Sequence, residues 1–246
     1  MHEQLWFTAL LNKALGGPIS ALLEKLPEPF HPADPQAPIT NAVAMEILVV
    51  AILIALFFFI RSRLTVEKPG SLQHMTELLD EFVRGTCSDI IGHHYDRFVP
   101  LLTAIFLFVL FCNLIGVIPG FESPTAEVTV PLGLAVVSFS YYNYHGLRKN
   151  GVLGYLKHFL GPVWWLAPLM LVIEIISHFA RLLSLTVRLW ANIYAGDLVT
   201  LAFFSMIPLA LPVVFNMLHI FVALLQAYVF MLLTIIYLNG AVAEEH

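Results

Sequence analysis

Charge is scarce in this chain, and its absence is the first constraint on class. Of 246 residues 12% are Asp, Glu, Lys or Arg and 59% are hydrophobic, with a mean hydropathy of +0.83. An ordinary soluble domain carries about 25% charged residues, so that class is excluded. Between residues 198 and 243 no residue is formally charged; so long a stretch requires two membrane helices and a turn. Cysteine is nearly absent too. Cys87 and Cys112 have no metal-ligand or redox spacing, which reads as two structural residues. There is no phosphate-binding loop, no Gly-rich dinucleotide loop and no nucleophile elbow, and with them go the nucleotide-binding and hydrolytic classes those motifs mark. Glu3 stands where a signal peptide has basic residues. His74, His93 and His94 lack supporting carboxylates, so no metal is expected, and nothing points to another cofactor or to nucleic acid. Repeats, low-complexity segments and a soluble domain are likewise missing. The net charge of -5 says little, because in a membrane protein the position of a charge matters more than the sum.

What is present divides into an N-terminal outer-side segment, 1–40, and a single membrane domain, 41–246. In the first, Leu5, Leu11, Leu15, Ile19, Leu22 and Leu26 suit the inner side of a short surface helix that the proline-rich 27–38 stretch ends. A first span covers 41–60, with Glu46 near its start, and Arg61, Arg63 and Lys68 follow it. Such a basic flank marks the cytoplasmic side. Residues 71–97 mix Glu77, Asp80, Glu81, Arg84 and Asp89 with apolar residues at helical spacing, the pattern of an amphipathic helix on the inner surface. Two uncharged spans follow at 98–118 and 128–147, joined by a loop with Glu122 and Glu127 and returning to Arg148, Lys149 and Lys157. Two long helices, 168–206 and 213–240, complete the chain around a turn at Pro208 and Pro212. A helix of about 38 residues extends about 57 Å, nearly twice the hydrocarbon thickness of about 30 Å. It must tilt steeply, kink or lie partly along the membrane, and Gly196 is a candidate flexure point. The fold class is thus an all-α integral membrane protein of about five membrane helices, with the N-terminus outside and the C-terminus inside.

The chemistry concentrates on the first of the long helices. Glu174, Ser177, His178, Arg181, Ser184, Arg188 and Asn192 fall within an arc of roughly 120°. An ionisable residue at bilayer depth costs about 2.5 to 3.5 kcal/mol on insertion scales, so a stripe of them asks for a function. A path for ions or protons is the physical reading, with Arg188 as a charge that cannot be switched off. Asp197 lies about 140° around the helix from Glu174, off the stripe. On the last helix Asn216, His219, Ala223, Gln226, Phe230, Thr234 and Tyr237 fill an arc of roughly 80°. His178 and Asn216 read as packing, and Arg181 as a partner for lipid phosphate or another chain.

The run SLTVRLWANIYAGD, with Glu174 fourteen residues before Arg188, followed by FNMLHIFVALLQAYVFMLLTIIYL and the terminal AEEH, closely resembles the a subunit (subunit 6 type) of F-type ATP synthases. The likeness is dense over the last two helices; earlier it extends to layout, including NLIGVIPG after the second span. It implies a non-catalytic, proton-translocating stator subunit of a rotary ATP synthase, in the bacterial inner membrane. Its partners would be a c-subunit ring, a b-subunit peripheral stalk, the other ATP synthase subunits and lipid. By resemblance Arg188 is the stator arginine, Asn192 its motif neighbour and Gln226 the glutamine facing it. His219 and Asp197 belong to the half-channel open outside, and Glu174 and Ser177 line the one open to the cytoplasm. Asp197 departs from the Glu or His that other members carry. Two other classes would place the stripe differently. A self-contained secondary transporter would show inverted repeats or matched broken helices, and neither occurs here. A haem-binding redox subunit would use His178 and His219.

Overall fold

A computed structural model of the chain describes residues 4–23, 25, 37–65, 70–92, 95–118, 120–160, 166–206 and 210–242. His93, His94, Lys68, most of the 27–38 stretch, Pro208 and the terminal AEEH lie outside the described residues.

Seven α-helices are present among the described residues: α1 (Trp6–Leu23), α2 (Asn41–Ser62), α3 (Ser71–Ile91), α4 (Val99–Ile115), α5 (Thr129–Leu160), α6 (Ala167–Met206) and α7 (Ala210–Val242). Three of them, over Asn41–Ser62, Ala167–Phe203 and Val213–Val242, are long and apolar enough to cross a membrane. By length and composition, three of the five spans expected from the sequence meet that measure among the described residues. α4 is apolar but has only 17 residues. The inner half of α5 carries Tyr141, Tyr142, Asn143, Tyr144 and His145, which dilute its hydropathy.

Local signals account for the boundaries. Thr40 caps α2 by accepting the Val43 N–H, and the Arg63 N–H closes its other end on the Ile60 carbonyl. α3 stops at Ile91, six residues short of the expected 97, because Gly92 adopts φ 77°, a left-handed conformation that suits glycine and ends the helix. The chain then makes a 3-10 turn, Tyr95–Arg97. Arg84 ties that turn to α3, with Nε donating to Asp80 at 2.6 Å and Nη1 to Asp96 at 2.7 Å. α5 is broken at Gly151, where φ is 69° and ψ 166°. α6 runs unbroken through Gly196, so the flexure expected there does not occur. Its 40 residues reach about 60 Å.

α7 is the central helix, packed against α3, α4, α5 and α6. The expected polar arc of α7 faces inward: His219, Ala223, Gln226, Phe230 and Thr234 are all buried. Around it Phe98, Leu102, Tyr142, Leu189, Ile193, Met231 and Ile235 form the main core. Ser138 of α5 and Thr234 of α7 share a buried hydrogen bond of 3.0 Å, which places these hydroxyls in helix packing. On α3, burial pushes the Cys87 thiol up to about 11, with Arg84 opposing, as befits an inert structural cysteine. The outward faces are apolar: Ile54 and Phe58 of α2, Val187 of α6 and Met217 of α7 are all at least half exposed, which suits hydrocarbon or another apolar chain rather than water.

The N-terminal helix is anchored at its start. Asn12 Nδ2 donates to the Ile39 carbonyl and Asn12 Oδ1 accepts the Ile39 N–H, both at 3.0 Å, while Trp6 packs edge-on against Phe121. Leu15, expected on the inner side of α1, is instead exposed. The buried positions are Thr8 and Gly16, and at Gly16 the small side lets Pro38 approach.

Candidate functional site

Three groupings lie along α6. Near its start Glu174 Oε1 stands 3.6 Å from His178 Nδ1 and 3.8 Å from Arg181 Nη2. These residues are one to two turns apart on one face, so the helix itself sets the cluster. α5 and α7 close it: Phe139 and Tyr142 meet the His178 ring, and the Arg181 guanidinium lies 5.4 Å from the centre of the Tyr237 ring. His178 is buried and Glu174 half-buried, as is Ser177 beside them.

Arg188 occupies the middle. Its Nη2 donates to Ser184 Oγ at 3.3 Å on an exposed face, and among the described residues it has no carboxylate partner. One turn on, Asn192 Nδ2 donates to Gln226 Oε1 at 3.0 Å, joining α6 to α7. Gln226, read from the sequence as facing the arginine, thus bonds the asparagine next to it.

Toward the far end, Asp197 Oδ1 lies 3.6 Å from His219 Nδ1. The structure therefore brings together the pair whose partnership sequence left open. A cavity of about 190 Å³ opens between α6 and α7 at this point, lined by Asn192, Gly196 and Thr200 on one side and Phe215, His219 and Val222 on the other. His219 Nε2 is buried without a hydrogen-bond partner. Helical rise puts Glu174 about 21 Å and Asp197 about 14 Å from Arg188, on opposite sides along the axis. The two carboxylates are thus separated by roughly the hydrocarbon thickness.

Sequence reasoning missed the Glu174 cluster as a unit. The i, i+4 spacing of Glu174 and His178 was the available signal, but the residues that close the cluster come from α5 and α7.

Residues 43–239 match the family described as ATP synthase A chain. The chain belongs to that family. Similar curated proteins are ATP synthase subunit a of Koribacter versatilis, 55% identical over 246 residues and the full length of both chains, and that of Solibacter usitatus, 51% identical over 85% of this chain and 90% of the relative. ATP synthase subunit a of Helicobacter hepaticus is 44% identical over 79% of this chain and 89% of its own. As a member of the ATP synthase A chain family the protein is a multi-pass integral membrane subunit, it translocates protons, and its partners are other ATP synthase subunits.

Within this A chain, Gly196 has a packing role in place of the flexure. A Cβ there would stand 3.3 Å from His219 Nδ1 and 3.6 Å from Cε1. Alanine demands a shift of the ring by a few tenths of an ångström, and valine fills the cavity. Overpacking of this kind costs about 1 to 3 kcal/mol. Gly196→Val is expected to slow ATP-driven proton pumping roughly tenfold and Gly196→Ala only about twofold, measured as initial acidification rates in vesicles.

Proposed function

We propose that this chain is the stator channel of a rotary ATP synthase, offering two proton half-channels to a turning c-ring and holding Arg188 between them. The observation that carries the reading is the position of Arg188. It stands half-buried on the polar stripe, with its hydrogen bond to Ser184 exposed and no carboxylate partner among the described residues, between two histidine–carboxylate pairs at opposite depths. A permanent cation so placed needs an anion from another chain, and a ring carboxylate supplies it.

The chemistry follows from charge. A ring carboxylate facing lipid must be neutral, because a bare carboxylate in hydrocarbon is prohibitive. Beside Arg188 it ionises, since an opposite charge at a few ångströms favours the charged form. A proton therefore leaves the ring on one side of the arginine and a new one loads on the other. Asp197 and His219, with the cavity beside them, serve the outer path, and Glu174 and Ser177 serve the inner one. The guanidinium cannot take up or release a proton, so it blocks a direct hop between the two paths. Protons must ride the ring. The Asn192–Gln226 bond keeps the two helices in register next to the contact.

In this reading the N-terminus is outside and the C-terminus cytoplasmic, in a bacterial inner membrane, with the five expected membrane segments completed by α4 and the first part of α5. α6 and α7, the longest, are steeply tilted. The exposed apolar side of α3, with Leu72, Met75, Leu78 and Phe82, and the outer face of α2 meet lipid and the b-subunit stalk.

Cross-linking tests the arrangement. Cysteine at Val187, one residue from Arg188 and half exposed, is expected to form a disulfide with a cysteine placed one helical turn from the ring carboxylate, in intact complexes under mild oxidation. Failure of every such pair along Leu183, Val187 and Leu224, while cysteines on α2 react with the ring, would place the ring elsewhere and overturn the proposal.

A further inference from the structure

The two ends of the path share one construction. On the outer side the carboxylate of Asp197 has 37% of its side chain exposed and its histidine, His219, only 6%. Near the start of α6 the values are 30% for Glu174 and 11% for His178. In both pairs Nδ1 faces a carboxylate oxygen at 3.6 Å. Each is a wetter acid backed by a drier imidazole.

Glu174 alone does not complete the inner path, because it lies about 21 Å along the axis from Arg188, far beyond a single proton transfer. Between them on α6 the side chains are Ile175, Ile176, Ser177, His178, Phe179, Ala180, Arg181, Leu182, Leu183, Ser184, Leu185, Thr186 and Val187. Only one of these carries an imidazole, the side chain type whose ordinary pKa lies nearest neutral, and that is His178. It stands one turn nearer to Arg188 than Glu174 does, still about 15 Å from it along the axis, so it supplies one step of the path next to Glu174. Arg181 holds its proton throughout, and hydroxyls are too weak as acids and bases to relay one unaided.

We propose that His178 is a proton-relay residue of the inner half-channel, passing protons between Glu174 and the part of the path that leads on toward Arg188. The inference rests on the half-channel reading above. In the outgoing direction Nε2 takes a proton arriving from the ring side while Nδ1 gives its own to the Glu174 carboxylate; Glu174 then releases that proton to the inner side, a flip of the imidazole restores the starting tautomer, and no net charge is left behind. Small side-chain rotations bring the 3.6 Å separation into hydrogen-bond range. Among the described residues the groups around His178 include Glu174 on its own helix, with Arg181 paired to it, and the rings of Phe139 and Tyr142 on α5, with Tyr237 of α7 beyond Tyr142.

The test uses vesicles containing the whole ATP synthase with His178→Phe, which keeps a ring between Phe139 and Tyr142, and with His178→Gln, which keeps polarity. Both are expected to lower ATP-driven pumping and passive conductance of head-stripped membranes about tenfold with the complex assembled, less than the 100-fold or more of general acid–base catalysis because other steps share control. Imidazole added on the inner side is expected to restore part of the flux. Unchanged flux in either variant overturns the relay, and so does a loss that imidazole leaves untouched, which marks a structural role. The same preparation with Arg188→Ala separates the two levels: normal pumping there sinks the half-channel reading itself, whereas normal pumping with His178→Phe alone sinks only the relay.

Discussion

Arg188→Ala abolishes ATP-driven proton pumping while the complex still assembles. The expectation follows from where the guanidinium sits. Among the described residues it makes one hydrogen bond, to Ser184 at 3.3 Å, so its removal takes little from the fold. In the proposed arrangement it takes from the ring the nearest cation that favours an ionised carboxylate, and removal of one preorganised electrostatic partner costs about 100-fold or more in rate. Pumping should fall at least that far, measured by acidification of vesicles on ATP addition. A second readout has the opposite sign. With the fixed cation gone, the barrier between the two paths is gone, and passive proton conductance after removal of the catalytic head should rise. Arg188→Lys should recover coupling only in part, because an ammonium sheds its proton when desolvated and a guanidinium does not. Pumping at the unmutated rate in Arg188→Ala would leave the polar stripe of α6 without its proposed role.

The second large effect lies far from that contact. Gly116, at the end of α4, has φ -67° and ψ -16°, a conformation any residue adopts, so its necessity is a matter of space. A Cβ there would sit 2.7 Å from Ser123 Cβ and about as close to the Ser123 backbone, at 3.0 Å from N and 3.1 Å from Cα. Backbone cannot swing aside as a flexible side chain can. Ser123 is also engaged: its Oγ donates to the Cys112 carbonyl at 2.9 Å and lies 2.9 Å from Thr125 Oγ1, which in turn donates to Asn113 Oδ1 at 2.6 Å. All three side chains are buried, so displacing one leaves others without partners. Gly116→Ala is expected to cost about 1 to 3 kcal/mol from overpacking alone, with lost hydrogen bonds in addition. Lower thermal stability of the detergent-solubilised chain and a reduced amount of assembled complex would show it. Wild-type stability would mean the loop tolerates a shift that the buried network argues against.

The length and polarity of helices were legible in the sequence. The long uncharged tail demanded two helices, and the structure has α6 and α7 there. The α6 stripe was readable because a single helix fixes the angular positions of its own residues. What depended on other elements was not. Gly196 looked like a hinge in isolation, yet its missing side chain makes room for a histidine on α7. Arg181 and His178 looked incidental until α5 and α7 packed around them. Gln226 was placed against the arginine by family likeness, and its 3.0 Å partner is Asn192. Leu15 matched a periodic pattern, but Pro38 and the buried Thr8 decide which side of α1 faces in.

That Asn192–Gln226 bond has a mechanical consequence. In the arrangement proposed above, a rotor bearing on α6 pushes back on it with equal force, and the tie lies one turn from where that load would fall. Both partners are neutral amides that neither gain nor lose a proton in the working pH range. The stiffness of this joint is therefore the same at every stage of the cycle, while charges on either side of it come and go.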